Sequence, residues 1–289
     1  MDITAISELE WIEILKKIDY NNFFQSPSFL RLSAKHFKLK NRYFKIKNKE
    51  KDCYFSLQED NSQVSYAPFI GYGGVFSSEL FPFDINFEIK LALEKTYKTQ
   101  IKRIKVFPLQ AFIHSSSIPQ AKQYTAIVPI KINMEEQENN MHKKTRTEIK
   151  NAFKHNVLIR KLEEIDLDCF YNIYNKTMDR VHSSYRTPKD LFKDLIKMEN
   201  TLFLGAFSNS RLIAASVFFY YKDGMYYWLN SSNENGRHLS ANYALIYSAL
   251  DFCVNNHFSF LDMASSHSIS IEQPKLRWGA QRIPLIVIE

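Results

Sequence analysis

The chain has 289 residues, 45% of them hydrophobic and 24% charged, with a formal net charge of +7. That length holds one large domain or two of ordinary size, and the composition is that of a globular protein. Seven glycines against 23 Phe and 16 Tyr exclude a Gly-rich repeat or a disordered chain. The positive balance suits an anionic partner, but the basic residues form no single block, which disfavours a sequence-specific nucleic-acid reader.

The first stretch, "MDITAISELEWIEILKKI", carries acids early and no basic leader, so no signal peptide is expected and the chain is placed in the cytoplasm. The longest apolar run, 212–221, is about half of what a spanning helix needs. "PSFLRLSAKHF" predicts a helix. "YFKIK", "CYFSLQ" and "SQVSYAPF" predict strands, and "IGYGGVFSS" a glycine-bearing loop. "NFEIKLALEKTYKTQ" then predicts a helix and "IKRIKVFPL" a strand. "INMEEQENNMHKK", acidic and then basic, is expected to be a linker, dividing the chain into domains 1–135 and 136–289.

Beyond it, "NVLIRKL" (156–162) predicts a strand, followed by helices at "DLDCFYNIYNKTMDR" and "PKDLFKDLIKM", the second with Pro188 in its first turn. "TLFLGAF", "RLIAASVFFYY" and "MYYWLNSS", joined by the tight turns "SNS" and "KDG", predict an antiparallel meander. "NENGRHLSANYALIYSALDF" (233–252) then places turn formers, Arg237 and Ser240 ahead of an apolar helix. A helix start beside an arginine can hold an anion; the plain alternative is a capped helix with a surface arginine. "FSFLDM" (258–263) and "PLIVIE" predict two more strands. Cys53, Cys169 and Cys253, scattered in apolar contexts, are expected to be buried thiols. The eight histidines form no metal-binding motif, and there is no phosphate loop or dinucleotide fingerprint.

Strand, loop, helix, strand thus occurs twice. This order, with a helix after the last strand of a meander, resembles the GNAT acyltransferase fold. Doubled in one chain, it resembles the Fem family of aminoacyltransferases. The stretches "FFQSPSFL", "APFIGYGG", "KKTRTEIKNAFKHNVLIRKL" and "FLDMASSHSISIEQPKLRWGA" are similar to that family's opening segment, first-domain loop, second-domain basic helix and strand–polar loop–Lys-x-x-Trp-Gly segment. The resemblance runs from Phe23 to Ala280. Pro274 stands where the family has an aromatic, and Arg237 to Asn242 lacks both glycines of the GNAT pyrophosphate loop. No long coiled-coil arm is expected.

The resemblance implies an α+β protein of two GNAT-like domains in tandem, each a mixed, mostly antiparallel sheet flanked by helices. It implies a transferase that makes an amide by moving an aminoacyl or acyl group onto an amine of a nucleotide- or lipid-linked cell-envelope precursor. No cofactor would be permanently bound; aminoacyl-tRNA or acyl-CoA would be the co-substrate. Partners would be an anionic or lipid-linked acceptor and charged tRNA, with peripheral membrane contact and no sequence-specific DNA. The donor would lie between two splayed strands, "MYYWLNSS" and "FSFLDM". Lys275 would face the donor's phosphate or its reacting carbonyl. His267 stays open as a base or a hydrogen-bonding loop residue, and Tyr243 could deliver a proton to the departing group. Arg237, Ser240, Asn242, Arg277, Trp228 and Asn230 are expected at the donor, and Arg146, Gln25 and Tyr72 at the acceptor. An acyl-CoA-dependent N-acyltransferase of a nucleotide sugar or small amine, and a non-catalytic RNA- or partner-binding protein, are the alternatives. No metal site is expected.

Overall fold

The structure is a computed structural model that describes residues 1–19, 22–49, 51–60, 63–68, 71–78, 81, 84–109, 123–266 and 268–289. The fold is α+β, with two mixed, mostly antiparallel sheets flanked by helices, and it is GNAT-like in tandem. Where the sequence puts the boundary at 135/136, the compact units are Met1–Tyr124 with Ile283–Glu289, and Thr125–Arg282.

The first unit begins with β1 (Asp2–Ile6) and α1 (Glu8–Lys17), whose start is fixed by a capping box between Ser7 and Glu10. Ser26 caps α2 (Pro27–Phe37), and Pro27 in its first turn needs no amide partner there. β2 (Lys40–Asn48), β3 (Lys51–Glu59) and β4 (Val64–Ala67) form an antiparallel meander with β1. α3 (Ile85–Tyr97) then carries the chain to β5 (Arg103–Lys105), which pairs parallel to β4; a parallel neighbour requires such a crossover. Phe44, Ile46, Phe55, Leu57, Ile89 and Ile104 fill its core.

The second unit opens with β6 (Gln123–Pro129), α4 (Met134–Asn139) and α5 (Lys143–Lys154). The stretch expected to be a linker is therefore helical, with Asn133 capping α4 and His142 capping α5. β7 (Leu158–Lys161), α6 (Leu167–Arg180), α7 (Lys189–Ile196), β8 (Thr201–Ser208), β9 (Arg211–Tyr221) and β10 (Gly224–Ser232) follow. The short α8 (Glu234–His238) and the long α9 (Ala241–Asn255) lead to β11 (Phe260–Ser266), which pairs parallel to β10. After α10 (Ile269–Leu276) come β12 (Gln281–Leu285) and β13 (Val287–Ile288). Among the described residues the sheet orders are β1-β2-β3-β4-β5-β13 and β12-β6-β11-β10-β9-β8-β7. Strand, two helices, a three-strand meander, helix and parallel strand therefore recur in the same order in both units.

Three other expectations are corrected. The segment after "FLDM" is not simply a polar loop, because β11 continues to Ser266 and Ile269–Leu276 is a helix that contains Pro274. "PLIVIE" is split between β12 and β13, and β13 joins the first sheet by pairing with β5. Cys53 and Cys253 are buried, and burial pushes the Cys53 thiol up to about 12, but Cys169 is exposed on α6.

The two faces of the second sheet are covered differently. Ala241, Ala244, Leu245, Ala249 and Leu250 of α9 pack with Ile213, Phe218, Met225 and Leu261. The alanines let the helix lie close to the strands. On the opposite face Phe170 and Phe192, from α6 and α7, meet Phe203 edge-on at 5.6 and 6.5 Å.

Candidate functional site

β10 and β11 run side by side only from Gly224↔Phe260 to Tyr226↔Asp262. Past that point both strands continue but no longer pair with each other. Burial follows the same break. Gly224, Met225 and Tyr226 are buried, whereas Tyr227 to Asn230, and Ala264 to Ser266 across from them, are partly exposed. The strands thus part into a crevice open to solvent in the middle of a sheet.

A β-bulge decides which side chains line it. The β9–β10 register shifts between Tyr227 and Leu229, leaving Trp228 as an extra residue. Strict alternation would put Asn230 on the face opposite Tyr227. With the bulge, Tyr227 lies opposite Phe218 and Asn230 opposite Ser216, all on the α9 face. Tyr227 stacks on Phe218 at 5.1 Å. Trp228 turns to the other face and packs on Phe192 and Phe219 at 5.7 and 5.1 Å. The structure therefore separates Trp228 from Asn230, two residues expected together at the donor. Burial pushes the Tyr227 phenol well above its ordinary range, against the opposing pull of Ser216 and Asn230 beside it. Ser216 Oγ and Asn230 Oδ1 are buried and interact with the Tyr227 hydroxyl outside ordinary hydrogen-bond geometry.

The β11 side is held by charge. Lys275 Nζ, in the last turn of α10, donates to the carbonyls of Ala264 and Ser265 at 2.9 and 3.0 Å. Ala264 has φ +60°, a left-handed conformation unusual for alanine, and its amide donates to Asp262 Oδ1 at 2.8 Å. The same carboxylate oxygen accepts from Thr125 Oγ1 at 2.6 Å. Asp262 and Lys275 together hold the kink that takes β11 away from β10.

Next in the chain after β10, α8 occupies the place expected for an anion-binding loop. Arg237 is exposed and its Nη1 donates to the carbonyl of Ser232 at 3.2 Å. Ser240 occupies the N-cap position of α9 in a left-handed conformation, with φ 55°. Its hydroxyl does not cap the helix; it donates to Glu148 Oε2 at 2.5 Å and accepts from Asn151 Nδ2 at 3.3 Å. Asn242 Oδ1, in the first turn, is buried without a hydrogen-bond partner. Tyr243 stacks on Trp278 at 5.8 Å. Burial raises its pKa, Glu148 raises it further and Arg277 opposes both, so its phenol keeps its proton at neutral pH. The Arg277 carbonyl receives the His142 amide at 2.8 Å and Thr145 Oγ1 at 3.1 Å, which fastens the start of α5. Gly279, with φ +80°, completes the Trp278 turn against Asn140; a Cβ there would lie 2.3 Å from Asn140 Nδ2.

Arg146 is partly buried, and its Nη1 donates to the carbonyls of Glu138 and Met141 at 3.0 and 2.7 Å, closing the turn between α4 and α5. Gln25 and Tyr72 belong to the first unit and are buried. Gln25 Oε1 accepts from Ser56 Oγ and its Nε2 donates to the Gly74 carbonyl, while Lys105 lies over the Tyr72 ring at 4.9 Å. His267 lies outside the described residues. Among the described residues no cluster of His, Cys, Asp or Glu is placed to hold a metal ion, and no helix is long and apolar enough to cross a membrane.

Sequence reasoning missed Ser216, Glu148 and Asp262. A serine inside "AASVFF" and an aspartate inside "FLDM" are polar breaks in apolar strands, the one local signal that marked two of them.

Residues 117–201 match the model of the FemAB family. No curated protein sequence matches the chain. Among solved structures, FemX superposes with a TM-score of 0.69 at 12% identity, covering 98% of this chain and 95% of that one. A conserved protein of unknown function from Bacteroides thetaiotaomicron gives 0.62 at 8% identity, with 99% and 98% covered. The C-terminal domain (DUF2156) of a proposed lysylphosphatidylglycerol synthetase from Agrobacterium fabrum gives 0.60 at 8% identity, with 97% and 92% covered. At these identities the superpositions speak for the fold. Residues 117–201 are thus similar to the FemAB family, and the fold is similar to that of FemX over nearly its whole length.

Proposed function

We propose that this chain is an aminoacyltransferase that forms an amide on an amine of a nucleotide- or lipid-linked cell-envelope precursor, with aminoacyl-tRNA as donor. The observation that carries the reading is the crevice between β10 and β11, with the Lys275 ammonium fixed on the Ala264 and Ser265 carbonyls at its edge. Transfer from an ester to an amine needs a carbonyl held in register, positive charge or N–H donors where its oxygen becomes negative, and a group that protonates the leaving hydroxyl and is reprotonated by the proton the attacking amine loses. The parted ends of β10 and β11 supply the first, Lys275 the second, and the protonated Tyr243 phenol the third. The FemX fold and the name of the lysylphosphatidylglycerol synthetase neighbour support an aminoacyl group as cargo and an envelope component as acceptor.

The start of α9 favours tRNA over acyl-CoA. A helix N-terminus without a neighbouring anion attracts phosphate, but here the Glu148 carboxylate already lies against Ser240. A pyrophosphate at that turn would meet a like charge. The net charge of +7 still draws a polyanion, with Arg237 exposed nearby. The test is binding of charged tRNA and of acetyl-CoA at two salt concentrations, followed by transfer to nucleotide- and lipid-linked muropeptides. Salt-steep tRNA binding and transfer abolished by Lys275→Ala are expected. Saturable acetyl-CoA binding that Arg237→Ala removes would overturn the choice of donor, and wild-type transfer by Lys275→Ala would overturn the site.

A further inference from the structure

The polar cluster on the α9 face of the crevice has no role in the chemistry above. Ser216, Tyr227 and Asn230 meet there only because the bulge at Trp228 returns Asn230 to the face of Tyr227. Ser216 is fully buried in an otherwise apolar stretch of β9, and its Oγ, like Asn230 Oδ1, meets only the Tyr227 hydroxyl, in a contact outside ordinary hydrogen-bond geometry. The Tyr227 phenol has one proton to donate and cannot serve both acceptors at once, so the cluster is short of a donor, an uncommon state for buried polar atoms. Tyr227 and Asn230 are partly exposed where the strands part, while Asn230 Oδ1 and Ser216 Oγ are covered, so a partner reaches them only by entering between the strands.

The chemistry of the three groups narrows the partner. Asn230 Oδ1 can only accept, while the two hydroxyls can donate or accept. An acyl carbonyl or a carboxylate would oppose lone pairs to lone pairs at Oδ1. A hydroxyl has one proton to give. A primary amine brings two or three N–H donors and can serve all three oxygens. The groups carry no formal charge, so they read N–H donors and not a counter-charge. In an aminoacyl ester the α-amine lies roughly 2.5 Å from the carbonyl carbon, so an amine on this cluster keeps the reacting carbon within the crevice.

We propose that Ser216, Tyr227 and Asn230 bind the free α-amino group of the transferred aminoacyl residue, so that the enzyme accepts donors with an unblocked amine and rejects N-acylated ones. This rests on the reading of the crevice as the donor site. It makes the three residues a specificity device that distinguishes an aminoacyl from a simple acyl donor.

The test uses the full chain and RNA minihelices carrying each amino acid through a 3′-amide, which is neither hydrolysed nor transferred, with every probe also made α-N-acetylated. Dissociation constants come from fluorescence anisotropy. In the wild type, acetylation should weaken binding of the best probe tenfold or more. Asn230→Leu should erase that difference, Asn230→Asp, which keeps the acceptor oxygen, should retain it, and Ser216→Ala should reduce it. Melting temperatures check that each variant is folded; if Asn230→Leu is not, Ser216→Ala and Asn230→Asp carry the comparison. Equal binding of free and acetylated probes by the wild type, or undiminished discrimination in folded Asn230→Leu and Ser216→Ala, would overturn the inference and leave the aminoacyl-tRNA reading standing. Binding of no minihelix would overturn that reading and the inference with it.

Discussion

Replacing Lys275 by methionine keeps the length and apolar stem of the side chain and removes only the ammonium. The structure makes two carbonyls, of Ala264 and Ser265, the groups that lose their donor. A hydrogen bond to a charged group contributes about 1.5–3 kcal/mol when buried. These carbonyls sit on the partly exposed end of β11, where water can replace part of the loss, so a total of roughly 1–3 kcal/mol is expected. The left-handed Ala264 raises the effect, since the Asp262 bond to its amide then holds that conformation without Lys275. At about 2–4 °C per kcal/mol for a domain of this size, the melting point of the second unit should fall by roughly 2–12 °C. Calorimetry reads that shift, and hydrogen exchange reads the site, since faster exchange should be confined to residues near 264–266. Lys275→Arg, which can still donate to both carbonyls, should recover most of the stability. An unchanged melting point with unchanged exchange at 264–266 would refute the idea that Lys275 holds the strands apart, and would leave it a solvated surface lysine.

Further outcomes follow from single contacts. Gly236→Ala places a Cβ 2.3 Å from the Ile213 carbonyl, and backbone cannot yield cheaply, so denaturant melts should show a loss of about 1–3 kcal/mol. Asp166 is bound by both terminal nitrogens of Arg160 at 2.7 Å, and this pairing holds its carboxyl below the usual carboxylate range. Because the folded-state pKa lies below the unfolded one, the pair stabilises at neutral pH and its contribution disappears as pH falls through the folded value. The stability gap between wild type and Asp166→Asn should therefore be present at pH 7 and close in acid, which pH-dependent chemical denaturation measures. Maleimide should modify the native protein once, at exposed Cys169, and three times after unfolding, as mass spectrometry will show.

Much of the architecture was legible because its signals are local. Ser26-Pro27 starts α2 where the sequence places it, and Asn209-Ser210 and Asp223-Gly224 turn the meander. Each depends on capping or turn chemistry within a few residues. The amino-acid order thus determined the doubled sequence of elements, the apolar helix after each meander and the strands that flank the crevice. Two segments misled for the same reason. The charge change in "MEEQENNMHKK" and Pro274 in "ISIEQPKL" look like loop signals, but capping by Asn133 and His142, and the fastening of Arg277 to α5, make them helical.

Tertiary structure decided the site itself. No local pattern says that the β10–β11 ladder stops at Tyr226, because that depends on Asp262 bonding Thr125, 137 residues away, and on Lys275 drawing the following carbonyls off. Nor does alternation reveal that Asn230 shares a face with Tyr227. One bulged residue reverses the parity of everything after it, and the pairing of β10 with β9, not the composition of β10, places the bulge at Trp228. Ser240 illustrates the same limit. Its position before an apolar helix marks it as a cap, yet its hydroxyl goes to Glu148, 92 residues earlier, because the left-handed turn aims it at α5. Periodicity and turn chemistry fix which elements form; where a ladder ends and which polar group meets which are set by contacts between residues far apart in the chain, and those contacts exist only once the sheet has assembled.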